Sequence, residues 1–241
     1  MTTALVIPAW NEPESIGAVL DEVPAGCVDE VIVVVPDAAD PTLRVARSRG
    51  ARTLVQPRPG YGAACFHGAR AAIAAGADVV AFLDGDYSDP PSALVHILEP
   101  LVAGRANLVL GSRDLRQHPH ALPIHARVGN QLVLGLLRLL VRTSFSDLPS
   151  FKAIRADALN RLDMHEMTFG WTVEMLLKAA RAGLRVEEVS VMYRPRLGGR
   201  SKVAGSFLGS LRAACKLLSC VLAYATWRPA PARELSIAHG H

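Results

Sequence analysis

A chain of 241 residues, half of them hydrophobic and a fifth charged, can bury a large core and is too apolar to stay disordered. Its net charge of +4 suits phosphates or an anionic membrane. With no nucleic-acid motif and no aromatic stacking platform, it argues against a nucleic-acid partner.

Cys27, Cys65, Cys215 and Cys220 lack zinc-type spacing and read as small core residues in a reducing compartment. The opening MTTALVIPAWNEPESIG has no basic leader, and no run of about eighteen uninterrupted apolar residues follows. The expectation is a cytoplasmic chain without a membrane span.

In chain order, the first half alternates apolar runs with helical stretches. ALVIP (4–8), VIVVVP (31–36), TLVQ (53–56), VVAFLD (79–84) and NLVLGS (107–112) read as strands covered on both faces. Helices are expected over 14–22, 41–49, 62–75 and 91–103. This alternation is the pattern of a doubly wound α/β domain, whose ligands bind beyond the carboxyl ends of the strands.

The second half predicts a helix over 124–142, a turn at SDLPS, a short strand near FKAIR, a helix over 171–182, a strand over 185–194 and an amphipathic helix over 206–226. The expected division is one α/β domain over 1–205, a C-terminal amphipathic helix over 206–227 and a disordered tail over 228–241.

Asp84, Asp86 and Asp89 gather where the run 79–83 ends. A solvated turn explains a lone Asp-x-Asp. At the end of a central strand, however, two carboxylates repel unless a cation joins them, and Mg2+ or Mn2+ favours one or two carboxylates plus phosphate oxygens. PAWNE (8–12), PDAADPT (36–42) and RPGYGAA (58–64) follow strands at the same edge. Each also has a purely structural reading: Asn11 or Glu14 opening the first helix, Asp40 capping the second ahead of Pro41, the glycines making a tight turn.

The order and spacing of VIPAWNE, RPGYGAA, AFLDGDYSDPP, LVLGSR, SFKAIRADAL, FGWTVEMLLKAARAGLRVEEV and YRPRLGGRSKV resemble glycosyltransferase family 2, in the branch of dolichyl- and polyprenyl-phosphate sugar synthases. The resemblance runs from about residue 3 to residue 205. It implies a GT-A fold: a Rossmann-like, mostly parallel sheet with helices on both faces. It implies sugar transfer with inversion from a nucleotide-diphosphate sugar of UDP or GDP type. Asp84 and Asp86 would hold the metal and diphosphate; Pro8, Ala9, Asn11, Glu12, Asp37 and Gly62 would lie against the nucleotide sugar; Arg113, Arg200 and Lys202 would meet phosphate. Three departures stand out. The acidic loop PDAADPT is shorter than usual and lacks its glycine and serine, and Ser88 stands where many members carry Gln. The two C-terminal membrane spans of many members are not expected here.

A polyprenyl-phosphate acceptor is already anionic and needs no base. A hydroxyl acceptor needs a carboxylate, for which Asp147 and Glu174 are the candidates. Glu174 also lies one helical turn from Lys178 and could simply pair with it. In the helix 124–142, Arg127, Gln131, Arg138 and Arg142 share one face, while Leu132, Leu136, Leu139 and Leu140 fill another. That pattern suits a core helix, an acceptor channel lined by Arg127, or peripheral contact with a membrane. The stripe Phe207, Leu211, Cys215, Leu218 and Leu222 could face the domain, a membrane or a second copy in a homodimer.

Overall fold

The apolar runs become β1 (Thr3–Pro8), β2 (Glu30–Val35), β3 (Arg52–Val55) and β4 (Val79–Phe82), separated by α1 (Ile16–Glu22), α2 (Thr42–Ser48) and α3 (Tyr61–Ala74). After them come α4 (Leu94–Val102), β5 (Leu108–Asp114), α5 (Ile124–Val141), β6 (Lys152–Arg155), α6 (Ala156–Leu162), α7 (Trp171–Arg181), β7 (Val186–Met192) and α8 (Phe207–Tyr224). The computed structural model describes residues 1–141, 143–198 and 207–229, with side chains for all of these but 207–214. Arg142, Arg200, Lys202 and the tail from 230 onward lie outside the described residues.

The seven strands of the described residues join one sheet in the order β3-β2-β1-β4-β6-β5-β7. Every pairing is parallel except those of β6, which runs antiparallel between β4 and β5. Alternating residues build a core on each face. Val6, Val34, Phe82 and Ile154 pack with Trp171 and Leu177 on one side. Leu5, Ile7, Val33, Leu83 and Phe151 pack with Ile97 on the other. Full burial of such side chains stabilises by about 1.5–3 kcal/mol each, which is why the central strands read as unbroken apolar runs.

The helices of the second half differ from expectation. α6 was not anticipated: it starts directly from β6 without a turn residue, and it buries Ala158, Leu159 and Leu162. In α5 the buried side chains are Val133, Leu134 and Leu137. Leu132 and Leu139, on the apolar face for which a core, an acceptor channel and a membrane were all open, point outward with Ile124 and Val128, and Ile124 and Leu139 are each 77% exposed. By length and composition α5 is also apolar enough to cross a bilayer, against the expectation that no segment qualifies. Arg127, Asn130, Gln131 and Arg138 interrupt its apolar run, so a search for unbroken runs passes over it.

α5 packs on α8, which also touches α7. Among the described side chains of α8, Cys220 and Val221 are buried, while Leu222 and Cys215 of the expected stripe are exposed; Phe207 and Leu211 lie outside the described side chains. All four cysteines are free; Cys65 is buried as anticipated, and the exposed Cys215 is not a core residue.

Candidate active site

β4 carries its apolar run into the sheet and stops at Phe82; Leu83 is still buried, and Asp84 emerges at the carboxyl edge. Gly85 lets this turn pass Ala9, since a Cβ there would sit 3.1 Å from the Ala9 Cβ. Asp86 and Asp89 are 3% and 1% exposed. Burial, then the neighbouring charge of Asp86, pushes Asp84 up to about 6. Burial and the charge of Asp84 push Asp89 up to about 7.

Hydrogen bonding separates the three carboxylates. Asp86 Oδ1 accepts from the Ser88 amide at 2.9 Å and the Ser88 hydroxyl at 2.6 Å, and Asp86 Oδ2 lies 2.8 Å from Arg196 Nη2. Ser88, in the place of the family's Gln, therefore braces Asp86. Asp89 Oδ2 accepts from the Ser150 hydroxyl at 3.1 Å. Asp84 Oδ1 and Asp89 Oδ1 are buried without a hydrogen-bond partner among the described residues.

Beneath them lies Lys152, a fully buried lysine. The antiparallel insertion of β6 sets it opposite Phe82, two residues before Asp84. Its Nζ donates to Pro149 O at 2.8 Å and Thr172 Oγ1 at 2.7 Å. Burial pulls its pKa down to about 8 against the attraction of Cys65, Asp84 and Asp89.

Crowded carboxylates and an orphan oxygen on Asp84 make a setting that a divalent cation would relieve. Asp84 and Asp86 are the residues that fit it. No group of three or more His, Cys, Asp or Glu ligands exists among the described residues, so phosphate oxygens and water would complete the shell.

The loop after β1 meets the loop after β2. Asn11, at φ 54°, donates its amide to Asp40 Oδ2 at 2.8 Å, and Asp40 Oδ1 accepts from the Thr42 amide at 2.9 Å. The Glu12 amide donates to Thr42 Oγ1 at 2.8 Å. Asp40 thus starts α2, as its capping pattern suggested, and also ties the two loops together. Pro8 and Ala9 are buried, whereas Asp37 is exposed. Trp10, Asn11, Asp37, Ala39, Asp40 and Pro41 line a cavity of about 310 Å3.

Gly62 does something different from the expected approach to ligand. A Cβ there would stand 2.2 Å from Glu166 O, so the glycine admits the 166–168 loop. The amides of Gly62 and Ala63 donate to Thr168 O and Met167 O at 3.0 and 2.9 Å. Backbone consumes the donors that a ligand would have used.

Arg113 and Asp147 are locked together. Arg113 Nε donates to Asp147 Oδ2 at 2.6 Å and Nη2 to Oδ1, and the guanidinium lies 5.4 Å from the Tyr193 ring centroid. Burial opposes the Arg113 charge, but Asp147 raises its pKa above the ordinary arginine value. Glu174 is fully buried and accepts from the His165 and Glu166 amides and from Lys178 Nζ. The pairing with Lys178 foreseen from spacing is present. Arg127, half-buried on α5, donates to Leu122 O at 3.0 Å.

Residues 4–163 match the model of glycosyl transferase family 2. The chain belongs to this family. It is 39% identical over 207 residues to an uncharacterized glycosyltransferase of Mycobacterium tuberculosis, covering 86% of this chain and 92% of the relative. It is 29% identical over 224 residues to the undecaprenyl-phosphate mannosyltransferase of Micrococcus luteus, covering 87% and 90%. A crystal structure of glucosyl-3-phosphoglycerate synthase from Mycobacterium tuberculosis, in complex with Mn2+, UDP and glucosyl-3-phosphoglycerate, matches with TM-score 0.72 at 25% identity. That match covers 93% of this chain and 80% of the other, and the GT-A fold is shared.

Three residues of this glycosyltransferase escaped the sequence reading: Trp10, Lys152 and Arg196. Lys152 had a visible signal, a charge inside the strand motif SFKAIR. For Arg196 the motif YRPRLGG offered several basic positions, and only the chain path after β7 selects one.

Proposed function

We propose that this glycosyltransferase moves a sugar from a UDP- or GDP-linked donor to a polyprenyl phosphate, with Mg2+ or Mn2+ and with inversion. One observation carries the acceptor class: neither carboxylate suggested as a base is free to act as one. Both oxygens of Asp147 are engaged by Arg113, and Oδ1 also accepts from the Leu148 amide at 2.8 Å. Glu174 has no exposed surface. An acceptor that arrives ionised removes the need for either. The likeness to a mannosyltransferase acting on undecaprenyl phosphate supports the same class.

In this reading Asp84 and Asp86 orient the donor diphosphate. A bound divalent cation would neutralise the leaving diphosphate. The loops carrying Asn11, Glu12 and Asp37 hold the nucleotide, and Arg200 and Lys202 draw the acceptor phosphate towards the sugar carbon, whereas Arg113, expected to join them, is committed to Asp147. Attack from the side opposite the diphosphate inverts that carbon. The outward side chains of α5, Ile124, Val128, Leu132 and Leu139, rest on the cytoplasmic face of a membrane, with Arg138 meeting anionic headgroups.

The test incubates purified enzyme and Mn2+ with UDP- and GDP-sugars against undecaprenyl phosphate and a panel of hydroxyl acceptors. The expected product is a glycosylated lipid phosphate. Sugar transfer to hydroxyl acceptors alone overturns the acceptor class.

A further inference from the structure

The segment following β7, residues 193–198, lies across the acidic turn. The Arg194 amide donates to Ser88 O at 2.9 Å, and the Leu197 amide donates to Asp86 O at 3.2 Å. Between these two pins, Arg196 places Nη2 2.8 Å from Asp86 Oδ2. Ser88 already holds Oδ1, so Oδ2 is the oxygen a divalent cation would take. One oxygen then faces two cations, whose mutual repulsion opposes holding both.

The strap is anchored away from that oxygen. Arg194 Nη2 donates to both oxygens of Glu22 at 2.9 and 3.0 Å, and its guanidinium lies 4.1 Å from the Tyr87 ring centroid. Glu22 also accepts from the Ser92 hydroxyl at 2.8 Å. Tyr87 sits at φ 67°, in the left-handed region, and this bend separates Asp86 from Ser88. The Glu22–Arg194–Tyr87 contacts hold the strap whether or not Arg196 is paired with Asp86.

We propose that Arg196 is an exchangeable counter-cation, neutralising Asp86 in the free enzyme and yielding Oδ2 when the divalent cation arrives with the donor diphosphate. The inference rests on the metal-dependent reading above. The exchange couples two binding events. A cation arriving alone must displace the guanidinium and leave it unpaired beside a second positive charge. A cation arriving with a diphosphate brings phosphate oxygens that the displaced guanidinium can pair with. Each ligand therefore strengthens the other through Arg196.

Mn2+ binding, read as free Mn2+ by its paramagnetic resonance signal, tests this with and without saturating UDP or GDP. Arg196→Gln should bind Mn2+ alone about fivefold more tightly than wild type, while the gain from added nucleotide shrinks by about tenfold. Arg196→Lys, which keeps the charge, should stay near wild type in both. Unchanged or weaker binding of Mn2+ alone by Arg196→Gln overturns the exchange.

Asp86→Asn separates the two levels. If it binds Mn2+ as well as wild type, the metal reading itself fails. If it loses Mn2+ while Arg196→Gln leaves the coupling intact, only the exchange fails. A second measurement needs no variant that might misfold. In 15N-arginine-labelled wild type, Mg2+ with UDP or GDP should move the Arg196 guanidinium signals, as the carboxylate partner gives way to phosphate, and leave those of Arg194 unchanged. Arg196 signals that keep their free-enzyme positions under saturating Mg2+ and nucleotide overturn the proposal.

Discussion

Lys178 Nζ lies 2.7 Å from Glu174 Oε1, with both side chains sealed from solvent. The ammonium also donates to Asp163 O and sits 5.0 and 5.1 Å from the ring centroids of Tyr224 and Trp227. Glu174 is thereby the centre of a joint between α7, the 163–166 loop and the end of α8. Glu174→Ala should cost about 3–5 kcal/mol, because it strands a buried ammonium, and a lowered midpoint in thermal unfolding checks this. Glu174→Gln should keep transfer per folded molecule within about tenfold, whereas loss of a true general base costs about a hundredfold or more.

In the proposed reaction Asp86 serves the chemistry rather than the core. Asp86→Asn, or excess chelator on the wild type, should slow transfer by about a thousandfold, the scale of several kcal/mol of lost charge stabilisation. Circular dichroism should report an intact fold in the variant. Added Mn2+ should restore the chelated wild type and leave the variant inactive.

The raised pKa of Asp89 makes stability depend on pH. Its carboxyl titrates at about 7 in the folded chain against 3.8 for an ordinary aspartate. Between those values the folded state holds the extra proton. The contribution is therefore fully present below about pH 4 and is lost as pH rises through about 7. Asp89→Asn removes this dependence. Denaturant unfolding of metal-free protein at pH 5, 6, 7 and 8 should show the variant gaining on the wild type as pH rises.

Asp84 carries the same sign into metal binding. Its carboxyl titrates at about 6, so a cation must displace a proton below that pH. Mn2+ affinity should rise from pH 5 to pH 7 and level off above, and titration calorimetry in buffers of different ionisation enthalpy should detect the released proton.

The outward face of α5 predicts association with anionic vesicles. Replacing Leu132 and Leu139 together by Asn should weaken vesicle binding by about tenfold or more, because each leucine buried in lipid is worth about 1.5–3 kcal/mol. The exposed sites should change folding stability by about 0.5 kcal/mol or less. Added salt should weaken the wild-type association through screening of the basic side chains. Vesicle sedimentation measures both effects.

The unbroken Val, Ala and Phe of β4 could be read as a doubly covered strand from composition alone, and so could the emergence of Asp84 and Asp86 at its carboxyl end. The loops after β1 and β2 were equally legible, because strand, turn and helix signals are local: they depend on neighbours a few residues apart. The partners of those side chains were not. Arg113 finds Asp147, and Asp86 finds Arg196, through strand order and the path after β7. Lys152 comes to lie under the carboxylates because β6 enters the sheet against its neighbours. The same holds for the outward leucines of α5 and the exposed Leu222 of α8, where periodicity defines a stripe but only packing decides whether protein covers it. Local pattern determined where this chain turns, which strands are covered on both faces and the i,i+4 pair of Glu174 with Lys178; long-range register decided which other charges meet and which stripes protein covers, because those depend on distances that no local pattern contains.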